Sequence, residues 1–130
     1  MFMMHQTIVV VEDDKSIRDM YVWKLKLSGF KVEGAENGED GLEKIEQFKP
    51  ELILLDIRMP VMSGDLMLEK LRATDWGSSI RVIILTNLTK DEAPQKLRFL
   101  NIDRYVIKAH YSPEQVLDIV NEVLGIKVNS

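Results

Sequence analysis

At 130 residues, 45% hydrophobic and 29% charged, the chain fits one soluble globular domain with a real core. It has no cysteine, which excludes disulfides, thiolate catalysis and cysteine-ligated zinc. The formal charge of −4 comes without a basic cluster, which argues against direct nucleic-acid binding. No apolar run approaches the roughly 18 residues of a membrane span, and Met1-Phe2-Met3-Met4-His5 lacks a signal peptide's length and charged leader. A cytoplasmic protein is expected.

Strand-like apolar runs then alternate with helical patterns, as in repeated βαβ units with a parallel sheet. The first run, about residues 7 to 12, is β-branched and apolar on both faces, like a central parallel strand. A helix follows, capped by Asp14, with Ile17, Tyr21 and Leu25 on one face and Gly29 at its end. Lys31 to Ala35 alternates and reads as an edge strand. Asn37 caps a second helix that turns Leu42, Ile45 and Phe48 inward and stops at Pro50. The third strand, Glu51 to Asp56, leads through the loop 57–64 into a helix with Leu68 and Leu71 inward.

The fourth strand spans Ile80 to Thr86. Thr89-Lys90-Asp91-Glu92 reads as a capping box, but Pro94 falls where it removes an intrahelical hydrogen bond. A short fourth helix is expected from near Ala93 to Asn101. Arg104 to Ile107 is the fifth strand. The last helix has Ser112 as cap, Pro113 as first residue, and Val116, Leu117, Val120, Val123 and Leu124 as its buried stripe. Five strands and five helices in strict alternation make a doubly wound α/β sheet with helices on both faces. The chain stops soon after the last helix, so residues 1–130 read as one domain, core about 7–124, without an output domain.

Four polar groups end the apolar runs: Glu12-Asp13-Asp14, Asp56, Thr86 and Lys108. If each run is a parallel strand, all emerge at the carboxyl edge of the sheet, where such folds bind ligands. Glu12, Asp13 and Asp56 within a few ångströms repel and push each pKa upward, unless a divalent cation intervenes. Magnesium prefers oxygen ligands and keeps several waters, so it suits this set. A carboxylate at such a site accepts a phosphoryl group when cations neutralise the equatorial oxygens. Lys108 supplies a second positive charge and Thr86 a hydroxyl. Read alone, the acidic triplet is a favourable helix cap, and Asp56, Thr86 and Lys108 are ordinary strand-end residues.

The motifs Val11-Glu12-Asp13-Asp14, Leu54-Leu55-Asp56-Ile57-Arg58-Met59-Pro60, Gly64, Ile84-Leu85-Thr86 and Tyr105-Val106-Ile107-Lys108 carry a resemblance over Thr7 to Leu124. The chain resembles the receiver (CheY-like) domains of bacterial two-component response regulators. The resemblance implies a flavodoxin-like sheet of order 2-1-3-4-5 with five flanking helices. It implies Asp56 as phosphoacceptor, with Thr86 and Lys108 binding the phosphoryl group. Asp13 and Asp56 would ligate magnesium directly, Glu12 through water, and Arg58 through its backbone carbonyl. Thr86 and an inward-turning Tyr105 would form the switch, altering the face of the fourth helix, fifth strand and fifth helix. Donors would be phosphohistidine on a sensor histidine kinase or phosphotransfer protein, and small acyl phosphates. The output would be a downstream partner or a self-dimer, with no direct nucleic acid and no membrane, and the protein would not be an enzyme in the turnover sense.

Three residues depart from that pattern. Ala109 replaces the usual proline after Lys108, Asn87 replaces a small residue after Thr86, and Pro94 lies in the fourth helix. His5 and His110 read as structural or solvent-facing. Two other readings stand beside the first: an interaction module that is not phosphorylated, and an aspartate-nucleophile phosphatase. The latter typically needs a carboxylate two residues past the nucleophile, where this chain has Arg58.

Overall fold

Runs such as Leu52-Ile53-Leu54-Leu55 are apolar on both faces, so the strands they form need cover from helices on both sides. The computed structural model describes residues 6–127 and meets that demand. Strands β1 (Thr7–Val11), β2 (Lys31–Ala35), β3 (Leu52–Leu55), β4 (Arg81–Thr86) and β5 (Arg104–Ile107) form one parallel sheet of order β2-β1-β3-β4-β5. Side chains of alternating parity feed two cores. Val9, Val11, Ile53, Leu55, Val82 and Ile84 pack with α2 (Gly38–Phe48) and α3 (Gly64–Arg72). Ile8, Val10, Leu52, Leu54, Ile83 and Leu85 pack with α1 (Lys15–Leu27) and α4 (Pro113–Leu124). Burying each such side chain is worth about 1.5–3 kcal/mol, which holds the strand ends in fixed register. Among the described residues no helix is long and apolar enough to cross a membrane.

The expected caps form. Asp14 accepts from the Ile17 N–H at 3.0 Å, and Asn37 from the Asp40 N–H at 2.8 Å. Ser112 and Gln115 exchange a full capping box with Pro113 at the first turn. Gly29 and Asn101 take the left-handed backbone required just past their elements, at φ 98° and 54°. The buried stripes also include Met67 on α3 and Ile119 on α4, which the helical spacing had left out.

The expected fourth helix is the main correction. The Thr89–Glu92 box forms, with the Thr89 N–H donating to Glu92 Oε1 at 3.0 Å and a turn closing from the Ala93 N–H to the Thr89 carbonyl at 3.1 Å. Pro94 then stands extended at φ −58°, ψ 132°, and the chain resumes only as a 3₁₀ segment, Gln95–Phe99. Without an N–H, and with a ring that would strike the carbonyl four residues back, Pro94 stops the turn from growing. The described residues therefore contain four α-helices and two short 3₁₀ segments, the second at Lys108–His110. The Arg72 guanidinium donates to the carbonyls of Gly77, Ile80, Leu100 and Asn101, tying the end of α3 to the turn before β4 and to the end of this irregular stretch. Burial pulls its pKa below the usual arginine value.

Candidate functional site

The register sets the strand ends side by side. Val11 pairs with Leu55, and the Asp56 N–H donates to the Val11 carbonyl at 3.0 Å, so Glu12 and Asp56 leave neighbouring strands at one level. Leu55 pairs with Ile84 and Thr86 with Ile107, which puts Thr86 one residue past that level and Lys108 just beyond β5. Lys108 Nζ spans the gap, donating to Glu12 Oε1 and, at 3.0 Å, to Asp56 Oδ2. Asp56 Oδ1 accepts the Ile57 N–H at 2.7 Å, and Glu12 Oε2 accepts the Asp14 N–H at 3.1 Å. Arg18 on α1 donates to the Glu12 carbonyl at 2.7 Å, a support that sequence patterning missed.

Glu12 and Asp56 are buried while Asp13 is exposed, and carboxylate oxygens of all three lie within 4.8 Å of one another. Three hard oxygen donors, one open to water, fit a magnesium ion that retains part of its hydration. The charges are already perturbed. Burial raises the Glu12 pKa above the usual carboxylate range, against the hydrogen bonds from Lys108 and the Asp14 N–H. Repulsion from Asp56 is the smallest contributor, so desolvation rather than mutual repulsion accounts for the rise. Burial alone would lower the Lys108 ammonium, but the hydrogen bonds and charges of Glu12 and Asp56 outweigh it and raise its pKa.

Two close approaches shape the loop after β3. Gly64 donates its N–H to the Ile57 carbonyl at 2.8 Å, and a β-carbon there would lie 1.9 Å from the Asp56 carbonyl oxygen. Only glycine lets α3 start that near Asp56. Before it, the Met62 N–H donates to the Pro60 carbonyl at 2.7 Å around Val61 at φ 67°, a three-residue turn with a β-branched residue in the left-handed region. Arg58 begins this loop with its side chain exposed.

Thr86 is buried, and its Oγ1 accepts the Leu88 N–H at 3.4 Å. Tyr105 is half-buried on the α3 side of the sheet. Its hydroxyl is not left to water: it donates to the Leu88 carbonyl at 2.8 Å, with the Thr89 carbonyl at 3.2 Å. The Lys108–Ala109 peptide is trans, and the Ala109 N–H donates to Asn87 Oδ1 at 3.0 Å. His110, two residues past Lys108, is exposed, and His5 lies outside the described residues.

The family model for the response regulator receiver domain matches residues 8–121. The chain belongs to that family. It is 34% identical to the alkaline phosphatase synthesis regulatory protein PhoP of Bacillus subtilis over 93% of its own length, and spans 49% of that relative. It is 28% identical to sporulation initiation phosphotransferase F of Bacillus subtilis, covering 98% of this chain and 100% of that protein. Among solved structures, the chemotaxis protein CheY4 of Vibrio cholerae superposes with TM-score 0.85 at 27% identity, covering 92% of this chain and 99% of the other. The chain thus spans the whole of one curated relative and about half the length of another.

Proposed function

We propose that this receiver domain is a cytoplasmic, phosphorylation-dependent switch of a two-component phosphorelay, with Asp56 as the phosphoacceptor. One observation carries the reading: Lys108, Glu12, Asp13 and Asp56, from strands far apart in sequence, converge at one strand edge with the ammonium between two buried carboxylates. An oxygen of the Asp56 carboxylate attacks the phosphorus of a phosphohistidine or acyl phosphate. The P–N or P–O bond to the donor breaks, the electron pair leaves with the imidazole or carboxylate, and an aspartyl phosphate remains. Glu12 (through water), Asp13, Asp56 and the Arg58 carbonyl would hold magnesium. When bound, the ion supplies positive charge to the transferring oxygens. Lys108 exchanges its carboxylate partners for one phosphoryl oxygen, and the Thr86 hydroxyl donates to another.

The switch follows from Thr86 leaving its place under the Leu88 N–H. Tyr105 then releases the Leu88 carbonyl and turns inward, a two-state packing change biased by new charge. The face it alters comprises the Gln95–Phe99 segment, β5 and α4, where the fourth-helix position is a 3₁₀ turn. Partners are a sensor histidine kinase or phosphotransfer protein upstream, and a downstream protein or second copy at that face. The domain accepts one group and is not a turnover enzyme.

Incubation with magnesium and acetyl phosphate, followed by intact mass measurement, is the test. One added phosphoryl group is expected, and none in Asp56→Asn. No adduct on the wild type would favour a phosphorylation-independent interaction module. Continuous phosphate release from many monoesters would favour a phosphatase, against which the exposed Arg58 two residues past Asp56 already argues.

A further inference from the structure

Two departures from the family pattern, distant in sequence, meet in this fold. The Asn87 side chain accepts a hydrogen bond from the Ala109 backbone N–H at 3.0 Å, across 22 residues. The β4–β5 ladder ends at the pair Thr86 and Ile107, so Asn87 and Lys108 are the next rung. Asn87 thus prolongs the ladder by one bond, its amide oxygen standing where a backbone carbonyl would otherwise accept. Proline has no N–H, so this bond requires a residue other than proline at 109. The bond uses both departures, an acceptor side chain at 87 and a free N–H at 109.

We propose that Asn87 is a positioning residue for the phosphoryl-transfer site: with Ala109 it forms a bracket that fixes the root of Lys108. This rests on the phosphoacceptor reading above. Lys108 carries its ammonium on a flexible four-carbon stem. Its root is held on one side by the Thr86–Ile107 rung. On the other side it is held by the Asn87 bond to Ala109, and its own carbonyl accepts the Tyr111 N–H at 3.3 Å. The tip then reaches both Glu12 and Asp56. Releasing the root lets the stem wander and lowers the fraction of time the ammonium faces the acceptor. The Asn87 oxygen is bonded to the Ala109 N–H rather than to a group of the site, so the influence assigned to it runs through Lys108.

The test compares Asn87→Ala in the wild-type and Ala109→Pro backgrounds, reading the initial rate of adduct formation with magnesium and acetyl phosphate. One hydrogen bond of ordinary strength corresponds to about a three- to tenfold slower rate for Asn87→Ala in the wild-type background. In the Ala109→Pro background, whatever that substitution does by itself, Asn87→Ala should change nothing, because no N–H remains. An equal slowing in both backgrounds would mean that Asn87 acts directly on the phosphoryl group, and no slowing in either would mean that the bracket is idle. Both results overturn the proposal. Hydrogen exchange at the Ala109 amide reads the bracket without any phosphorylation. Protection should fall about three- to tenfold in Asn87→Ala and persist in Asn87→Asp, which keeps an acceptor oxygen. A wild type that takes no phosphoryl group defeats the phosphoacceptor reading and with it the positioning role, while exchange still decides whether the bracket exists. Unchanged protection in Asn87→Ala removes the bracket even if Asp56 is phosphorylated.

Discussion

Replacing Gly64 with alanine would place a β-carbon 1.9 Å from the Asp56 carbonyl oxygen and 2.9 Å from its carbonyl carbon. Ordinary non-bonded contact is about 3.5 Å, so roughly 1.5 Å of separation must be found. Neither side yields easily. The obstacle is backbone, pinned by the Asp56 N–H bond to Val11 and the Gly64 N–H bond to Ile57. Overpacking of this kind costs about 3 kcal/mol, the upper end of the usual range. For 130 residues the unfolding entropy is near 0.27 kcal/mol/K, so Tm should fall by about 11 °C. The same shift moves Asp56, the proposed acceptor, and misplacement by about 1 Å slows group transfer roughly a hundredfold. Urea unfolding and the acetyl phosphate adduct rate read the two effects separately. Gly125→Ala is the control: nothing lies within 4 Å of a β-carbon there, and only its φ of 70° opposes the change. It should cost about 1 kcal/mol and leave the adduct rate alone. Gly64→Ala no less stable than Gly125→Ala, with a wild-type rate, would refute the steric account of why α3 begins with glycine.

Val61 sits at φ 67° and is 74% exposed, so Val61→Gly removes left-handed strain without losing packing. After allowing for the added freedom of the unfolded chain, a gain of about 0.5–1 kcal/mol is expected in urea unfolding. Tyr105→Phe removes the donor to the Leu88 carbonyl and should cost about 1 kcal/mol while accelerating hydrogen exchange in residues 88–93; unchanged exchange would detach Tyr105 from that loop. Burial holds Glu12 above the ordinary carboxylate pKa of 4.5, and only its ionised form attracts a cation. Magnesium affinity, followed by calorimetry from pH 4.5 to 7, should therefore weaken as pH falls through a midpoint above 4.5. Affinity constant down to pH 4.5 would count against the buried environment. For Lys108 the loss comes at high pH: while its carboxylate partners are ionised, its raised pKa stabilises the fold below 10.5, and that contribution disappears as pH climbs through the elevated value. Urea unfolding between pH 9 and 12 should show Lys108→Met losing less stability than wild type.

Much of this was written locally. The runs at 8–11, 52–55 and 82–85 announce buried strands because nothing but a two-sided core accepts them. Asp14, Asn37 and Ser112 announce helix starts because each cap bonds within three residues. The candidate site residues Glu12, Asp56, Thr86 and Lys108 were legible for the same reason, as polar groups abruptly ending apolar runs. Pro94 was read as a delay to a helix, yet it prevented one: without an N–H, and with its backbone extended, it stopped the preceding turn from growing.

What the chain order alone determines is which side chains reach the carboxyl edge of the sheet: strand length and alternation do that. Which of them meet is a tertiary matter. Lys108 bridges Glu12 and Asp56 only because β3 lies between β1 and β4, an order imposed by packing helices on both faces. The same packing brings Gly64 against the Asp56 carbonyl and Asn87 against Ala109. Contacts of that kind have no local pattern, since each partner's environment is built by a distant stretch of chain.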